Sequence, residues 1–239
     1  MENRHLSPSP PMENRHPSSV PDILVIGANG GIGRQTVDIA LARGYKVTAL
    51  LRNPANLPLI HPNLQIVKGD VFQPGTYVAH LAGKTAVISA LGTTSTQPTN
   101  LYSGGNAILL KEMKKAGATL GEREKAAERV FFISASGIIV SPLQPLVVRW
   151  LTKYVLQKIL RHMYADIRVM ERIIKASDAC WTIVRPPRLT NRPATGHYRV
   201  AINGHLRNGF SIARADVAHF MIDNLDNAET FNATVEIAS

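Results

Sequence analysis

Short apolar runs alternate with longer amphipathic stretches along most of this 239-residue chain. Most of the apolar runs are followed by Gly, Ser or Arg, as strands bounded by turns are, and the stretches between them have helical periodicity. Regular alternation of strands and helices predicts an α/β fold, a doubly wound Rossmann-like parallel sheet with helices on both faces. Strands are predicted at 23–26, 46–51, 64–68, 85–91, 130–133, 180–184 and 234–237.

The predicted helices occupy most of the intervals between these strands. One ends at Gly44, which is a typical helix stop, and the last begins near Arg214. A charged stretch at 117–129 is predicted to be an insert or a solvated helix end. Helices are predicted at 34–43, at 105–115 and, in two pieces, at 143–175.

Domain organisation follows from length and composition. We expect 22–239 to form one domain, with small C-terminal elements on the substrate side. Residues 1–21 are rich in Pro and Ser, contain the sequence MENRH twice, and are predicted to be a disordered tail.

Three glycines at three-residue spacing follow the first predicted strand and precede a helix. In such a unit the first glycine allows a tight turn, the second lets a pyrophosphate approach the backbone, and the third lets helix and strand pack closely. The helix N-terminus then offers N–H groups and a positive dipole end to phosphate. The pattern predicts a dinucleotide site formed by Gly27, Asn29, Gly30, Gly31, Ile32 and Gly33.

The end of the second predicted strand indicates which dinucleotide is bound. An acidic residue at this position holds the ribose hydroxyls of NAD, whereas a basic residue accommodates the 2′-phosphate of NADP. Here Arg52 follows the strand, and Arg34 directly follows the last glycine. We therefore predict a preference for NADP(H) over NAD(H), although both arginines could also be simply solvated.

Two later segments carry a more specific signature than the glycines. WTIVRPP at 181–187 is followed by PATGHYRV at 193–200. Together with the Gly-x-x-Gly-x-x-Gly loop, they resemble the atypical short-chain dehydrogenase/reductases, in particular the NmrA-like NAD(P)H-binding group that includes biliverdin-IXβ reductase/flavin reductase. The resemblance covers about 23–238, nearly all of the predicted domain.

This resemblance implies further cofactor contacts. Asp70, followed by Val71, would lie against the adenine, unless Asp70 only caps the next short helix. Leu91 and Gly92, where the fourth strand ends, would let the adenosine lie across the sheet edge. The two prolines after the sixth strand, Pro186 and Pro187, would shape the nicotinamide pocket with carbonyls that have no N–H donors beside them.

The resemblance also implies a catalytic side. Ser136 matches the serine that bonds the substrate carbonyl next to the nicotinamide, with Ser134 as the fallback. The Tyr-x-x-x-Lys pair of orthodox members is missing where it is expected, because Tyr164 is followed by Arg168, and arginine cannot be tuned as lysine can. Tyr154 with Lys158 has the literal spacing but lies too far upstream. Both tyrosines could instead be core residues, because tyrosines at helical spacing among apolar residues usually pack in the core.

Composition excludes several other functions. The net charge of +10 suggests anionic ligands, but basic residues are spread along the chain and aromatics make up only 6%, so no nucleic-acid partner is expected. A single cysteine suits a reducing compartment, and we predict a cytoplasmic location. No transmembrane segment, metal site, hydrolase elbow or P-loop is predicted from the sequence.

The prediction for function is an NADPH-dependent oxidoreductase that transfers hydride to a planar conjugated acceptor, such as a flavin or a quinone. Two alternatives stay open. One is a non-catalytic redox sensor of the NmrA type, and the other is a carbonyl reductase or epimerase that uses Tyr164. The protein would act on a small molecule as a monomer or homodimer. The basic helix at 143–175 could contact a membrane or partner, but is first expected to cover its own sheet.

Overall fold

The computed structural model describes residues 20–119, 129–139, 143 and 145–239. The predicted tail falls mostly on 1–19 and the charged stretch mostly on 120–128, which lie outside the described residues. Within the described residues, no helix is long and apolar enough to cross a membrane.

The strands match the predicted alternation closely. Those predicted at 46–51 and 64–68 are found with the same bounds. The strands are β1 Asp22–Ile26, β2 Lys46–Leu51, β3 Leu64–Lys68, β4 Ala86–Ser89, β5 Arg129–Ile133, β6 Cys180–Arg185, β7 Arg188–Thr190, β8 Arg199–Ile202, β9 Ser211–Ala213 and β10 Ala233–Ala238.

Most of these strands form one parallel sheet. Its order is β3–β2–β1–β4–β5–β6–β10–β8, in which β8 runs antiparallel to β10 and the other neighbours are parallel. Strands β7 and β9 form a separate parallel pair. This arrangement confirms the doubly wound α/β fold, and the strand order reverses between β1 and β4.

Helices cover both faces of the sheet, as predicted. Side chains of β1 alternate between the two layers: Ile23 and Val25 pack in the core with the helices at 31–42 and 214–223, and Leu24 and Ile26 pack in the core with the helices at 101–119 and 161–175. Burial on both faces explains why this strand is continuously apolar. The helices are α1 Gly31–Ala42, α2 Leu101–Thr119, α3 Leu146–Leu151, α4 Gln157–Ile159, α5 Arg161–Lys175 and α6 Arg214–Asp223.

Helix α2 begins four residues before the predicted start. The carboxylate of Asp166, on α5, accepts hydrogen bonds from the backbone N–H groups of Tyr102 at 2.8 Å and Ser103 at 3.3 Å, and from the Ser103 hydroxyl. This carboxylate caps the first turn from another element. A cap that is distant in sequence leaves no local signal, so the sequence placed the start too late.

The helical region predicted at 143–175 is found in two pieces, as expected. Helix α5 is the second piece, and the first runs without a break through α3, a π-helical turn at Thr152–Leu156 and α4. Leu151 and Gln157, on either side of the π-helical turn, both have right-handed helical dihedral angles. Leu160, with φ −97° and ψ 21°, then separates α4 from α5.

Arg129 corrects the prediction of a solvated charged stretch. It begins β5, and its guanidinium donates to Leu225 O at 3.2 Å, Asn224 O at 3.3 Å and Thr230 Oγ1 at 2.7 Å. Burial lowers its pKa to about 10. The guanidinium thus joins the sheet to the connection that leads into β10.

Asp216 has a structural role that explains part of the PATG segment. Its carboxylate, which is 0% exposed, accepts from Thr195 N at 2.9 Å, Gly196 N at 3.0 Å and Thr195 Oγ1 at 3.1 Å. The first turn of α6 therefore holds the loop before β8.

We expect Asp216→Ala to lower the free energy of unfolding by about 1–3 kcal/mol, because the N–H groups of Thr195 and Gly196 lose a charged acceptor. Urea unfolding measures this as a lower midpoint at unchanged slope. The control is Asp178→Ala, since Asp178 is 81% exposed and its ion pair in the described residues is with the exposed Lys114. Equal midpoints for the two variants would contradict the prediction.

Candidate functional site

A cleft of about 960 Å³ lies at the carboxyl edge of the parallel sheet. Residues that follow β1 to β6 line it, together with side chains from α5 and the start of α6. Open α/β sheets bind ligands at this edge, where the strand order reverses. Most of the predicted site residues line the cleft, namely Gly27, Asn29, Gly30, Gly31, Ile32, Arg52, Asp70, Val71, Leu91, Gly92, Ser134, Ser136, Tyr164, Pro186 and Pro187.

Three predicted site residues do not line the cleft: Gly33, Arg34 and Arg168. Gly33 belongs to the packing below the loop. A Cβ on Gly33 would lie 2.2 Å from the carbonyl oxygen of Gly27, and one on Gly27 would lie 2.6 Å from the carbonyl oxygen of Ala90. Gly27 also has a φ of +76°, which favours glycine. The outer glycines therefore allow the close packing of loop, helix and sheet.

The N-terminus of α1 faces the cleft. Gly30 precedes the helix, and the first helical hydrogen bond runs from Arg34 N to Gly30 O at 2.8 Å. The N–H groups of Gly31 and Ile32 come before that bond and lie at the cleft wall. This is the arrangement in which a helix start binds a pyrophosphate.

Arg214 is a cleft residue that the sequence analysis did not assign to the site. Its side chain crosses the glycine loop, so that a Cβ on Gly31 would lie 2.4 Å from the Arg214 Cδ and Nε atoms. Arg214 Nη1 donates to Asn191 Oδ1 at 2.6 Å. No local signal marks this residue, because α6 is brought against α1 only by the fold.

The two arginines predicted to favour NADP lie in different environments. Arg52 lines the cleft at the end of β2 and forms no ion pair with any residue that the structure describes. Arg34 lies outside the cleft, and its Nε atom contacts both carboxylate oxygens of Asp38 at 3.0 and 3.1 Å. Arg52 is thus the better placed of the two for a 2′-phosphate.

Asp70 forms a turn and does not cap the short helix that follows. Its Oδ1 atom accepts from Phe72 N at 2.9 Å, whereas the helix at Pro74–Thr76 is preceded by Gln73. Asp70 and Val71 nevertheless face the cleft across from Leu91 and Gly92, which follow β4.

A buried ion pair lies at the opposite end of the cleft. Glu171 on α5 and Arg185 at the end of β6 are 5% and 6% exposed, and Arg185 Nε donates to Glu171 Oε1 at 2.8 Å. The Ser134 hydroxyl donates to the same Oε1 atom at 2.7 Å. Ser134 is therefore held by this carboxylate, whereas Ser136, two residues on, begins the short helix Ser136–Ile138 at the cleft wall.

Tyr164 lies against Gly137, the residue that follows Ser136. It is 4% exposed, and a Cβ on Gly137 would lie 2.5 Å from its hydroxyl oxygen. Burial raises the pKa of this phenol, and the nearby Arg168 opposes the rise to a smaller extent. Arg168 Nη2 donates to Ile138 O at 2.8 Å, so Arg168 contacts the loop after β5 and not the cleft.

The other near match to the Tyr-x-x-x-Lys pair, Tyr154 with Lys158, lies outside the cleft lining, and Tyr154 is exposed.

The two prolines after β6, Pro186 and Pro187, line the cleft, but their carbonyl groups are not both free of hydrogen bonds, contrary to the prediction. Pro186 O accepts from Ser136 N at 3.0 Å. This bond joins the loops after β5 and β6, which are neighbours in the sheet.

Fold and cleft together define a dinucleotide-binding α/β protein. The sequence profile of the NAD(P)H-binding family matches residues 27–228, so the chain belongs to this family. This confirms the resemblance to the atypical, NmrA-like short-chain dehydrogenase/reductases and identifies a nicotinamide cofactor as the ligand class.

Several curated proteins are similar to the chain. An uncharacterized chloroplastic protein of Arabidopsis thaliana, At2g34460, is 29% identical over 91% of this chain and 76% of its own length. The uncharacterized sugar epimerase YhfK of Bacillus subtilis is 26% identical over 90% and 92%. The photosystem II assembly factor Ycf39 of Cyanophora paradoxa is 33% identical over 46% of this chain, and the match spans only 33% of that protein.

Solved structures share the fold. A short-chain dehydrogenase/reductase from Veillonella parvula, solved in complex with NADP, has a TM-score of 0.74 and 18% identity over 92% of this chain and 95% of its own. A proposed NADH-flavin reductase from Streptococcus pneumoniae has a TM-score of 0.69 and 22% identity over 91% and 99%.

Two neighbouring glycines should respond differently to alanine. Gly33→Ala places a Cβ against backbone that cannot move aside, so we expect it to lower the free energy of unfolding by about 1–3 kcal/mol. Gly31→Ala meets only the flexible Arg214 side chain, and should fold normally but bind NADPH several-fold more weakly. Urea unfolding and calorimetric titration with NADPH measure the two effects. A Gly31→Ala variant with unchanged affinity would contradict a pyrophosphate at this loop.

Proposed function

We propose that residues 22–239 act as a single domain that transfers hydride from NADPH to a planar conjugated acceptor, such as a flavin or a quinone. The proposal rests on one cleft whose two ends differ in chemistry. One end offers the backbone N–H groups at the start of α1 together with Arg52, whereas the other combines apolar side chains with hydroxyls and with arginines such as Arg185, which is paired with Glu171.

The phosphate end accounts for the cofactor. Gly30, Gly31 and Ile32 would bind the pyrophosphate through the start of α1, and Arg52 would bind the 2′-phosphate. Asp70 and Leu91 would flank the adenosine. The absence of an acidic residue at the end of β2 supports NADPH, because a carboxylate there would repel the 2′-phosphate.

The acceptor end accounts for the class of substrate. The apolar side chains of Leu156, Leu160, Met163 and Phe210 line it and would pack against a flat ring system. Ser136 would orient the acceptor, and Pro186–Pro187 would shape the nicotinamide pocket.

The protein's part in this reaction is to hold the cofactor and the acceptor in position. The cofactor supplies the hydride, and a flavin or quinone that accepts it becomes an anion that solvent can protonate. No tuned acid is then needed, which fits a tyrosine whose pKa is raised and whose helical partner is Arg168. The similarity to a proposed NADH-flavin reductase of Streptococcus pneumoniae agrees with this class.

A carbonyl reductase or epimerase is the second candidate, because the Tyr164 hydroxyl lies beside the loop that carries Ser136. The similarity to a protein named as a sugar epimerase agrees with that alternative. The cytoplasmic location stays a prediction, since the related plant protein is chloroplastic.

The first experiment follows the loss of NADPH absorbance with FMN, riboflavin and a quinone as separate acceptors, and repeats each with NADH. Turnover with NADPH on one of them supports the reductase. Tight NADPH binding without turnover on any acceptor would instead support a redox sensor.

Replacing Arg52 should change cofactor preference. We expect Arg52→Ala to weaken NADPH binding about 10- to 100-fold, the equivalent of roughly 1.5–3 kcal/mol for charge-assisted hydrogen bonds, and to leave NADH binding unchanged. Arg34→Ala is the matched control, since Arg34 is paired with Asp38 and should have a smaller effect. Calorimetric titration measures both, and a larger loss in Arg34→Ala would reverse the assignment.

Replacing Tyr164 separates the two enzyme candidates. For a flavin or quinone reductase, Tyr164→Phe should lower kcat less than about threefold, because solvent supplies the proton. Loss of an essential acid would cost about 100-fold or more. Tyr102→Phe is the control, because it removes another phenol hydroxyl from the cleft wall.

The pH profile gives an independent readout of the same question. Burial keeps the Tyr164 phenol protonated, so wild type and Tyr164→Phe should give superimposable kcat profiles from about pH 6 to about pH 9. A pH-dependent step that disappears in Tyr164→Phe would favour the carbonyl reductase.

A further inference from the structure

Exposed large apolar side chains are concentrated in one short part of the chain, Arg149 to Arg161, which we call the docking segment. Its exposed members include Trp150 at 57%, Tyr154 at 52% and Ile159 at 58%. Soluble proteins rarely leave so many large apolar side chains uncovered together. Of the large apolar side chains found exposed in the described residues, six lie here: Trp150, Leu151, Tyr154, Val155, Leu156 and Ile159.

The charged residues within this part of the sequence are all of one sign. The sequence contains no Asp or Glu from 130 to 165. Arg149, Lys153, Lys158 and Arg161 lie within the same stretch, and the last three are exposed. The segment therefore combines exposed apolar side chains with four basic residues that form no ion pair with any residue the structure describes.

The aromatic residues of the segment have the character of interfacial anchors. The rings of Trp150 and Tyr154 lie with centroids 5.7 Å apart, and Lys153 Nζ lies 5.3 Å from the centre of the Tyr154 ring. Trp and Tyr favour the boundary between hydrocarbon and water, because one end of each side chain is apolar and the other polar. Lysine beside them can keep its charge in the headgroup layer while its stem packs on the apolar side.

We propose that the docking segment binds the surface of a lipid bilayer that contains anionic lipids. Apolar burial and attraction to anionic headgroups act together in such binding, and neither alone is strong. A second copy of the chain fits less well. A twofold interface would place the same patch against itself and bring two sets of four cations together without an acid among them.

The docking segment also forms part of the cleft wall, so docking would fix where the cleft lies relative to the bilayer. Thr152 and Leu156 line the acceptor end of the cleft, and Leu156 is also 39% exposed. A protein docked through this segment would hold the acceptor end next to the bilayer. This position suits a lipophilic acceptor, but the docking itself does not depend on the proposed reductase activity.

The test is co-sedimentation of the full chain with phosphatidylcholine vesicles, with and without added phosphatidylglycerol, at low and high salt and without cofactor. We expect binding only to the anionic vesicles and its loss at high salt. Emission from Trp150 should shift to shorter wavelength on binding, whereas Trp181 is already buried and should contribute no shift.

Two variants separate the electrostatic and the apolar contributions to vesicle binding. Lys153→Glu with Lys158→Glu should weaken vesicle binding at least about 25-fold, from roughly fivefold for each positive charge lost. Trp150→Ser should abolish the emission shift and weaken binding. The control pair Lys46→Glu with Lys111→Glu changes charge equally at exposed positions outside the segment and should bind better than the Lys153/Lys158 pair.

Several outcomes would overturn the proposal. Absence of binding to anionic vesicles would do so, and so would equal losses in the two lysine pairs. A concentration-dependent dimer that Trp150→Ser converts to monomer, without vesicle binding, would assign the patch to a second copy. Capture by an acidic polypeptide such as polyglutamate, with no affinity for vesicles, would assign it to a protein partner.

Discussion

The contact between the backbone of Gly33 and the carbonyl of Gly27 determines how the first helix meets the sheet. A side chain at either position would collide with backbone, at Gly33 with Gly27 and at Gly27 with the end of β4. Helix α1 can therefore start close to the sheet, with its first N–H groups turned toward the cleft. The proposed phosphate end of the cleft depends on this packing, because the groups that would bind phosphate there are mostly backbone N–H groups.

The proposed acceptor end is held together by side-chain hydrogen bonds. Glu171 accepts hydrogen bonds from Ser134 and Arg185, and Pro186 accepts one from Ser136. These bonds connect α5 with the loops after β5 and β6. Removing one partner of such a buried pair leaves an uncompensated charge, which is costly. The cleft thus has one end organised by backbone packing and the other by buried side-chain hydrogen bonds.

The helical stretch Leu146–Ile159 is joined to this framework through Gln157, whose Nε2 atom donates to Gly137 O at 3.0 Å. Its residues line the cleft on one side and leave Trp150, Tyr154 and Ile159 exposed on the other. A helix that covers its own sheet buries its apolar stripe, as was first expected here. The exposed stripe, with lysines and arginines around it, is what makes this region a candidate surface for another molecule.

The sequence by itself determined the strands β1 to β6 and β10, their alternation with helices and the glycine loop, since apolar periodicity and glycine conformation are local properties. It also singled out Arg52 as a cleft residue, because in this fold the end of the second strand lies at the edge of the sheet where the dinucleotide binds. Only the tertiary structure decided the rest. Arg214, Glu171 and Asp166 act on partners far away in the chain, and Arg129 is buried despite its charge. Such contacts depend on which helices the fold brings together, and no short window of sequence contains that information.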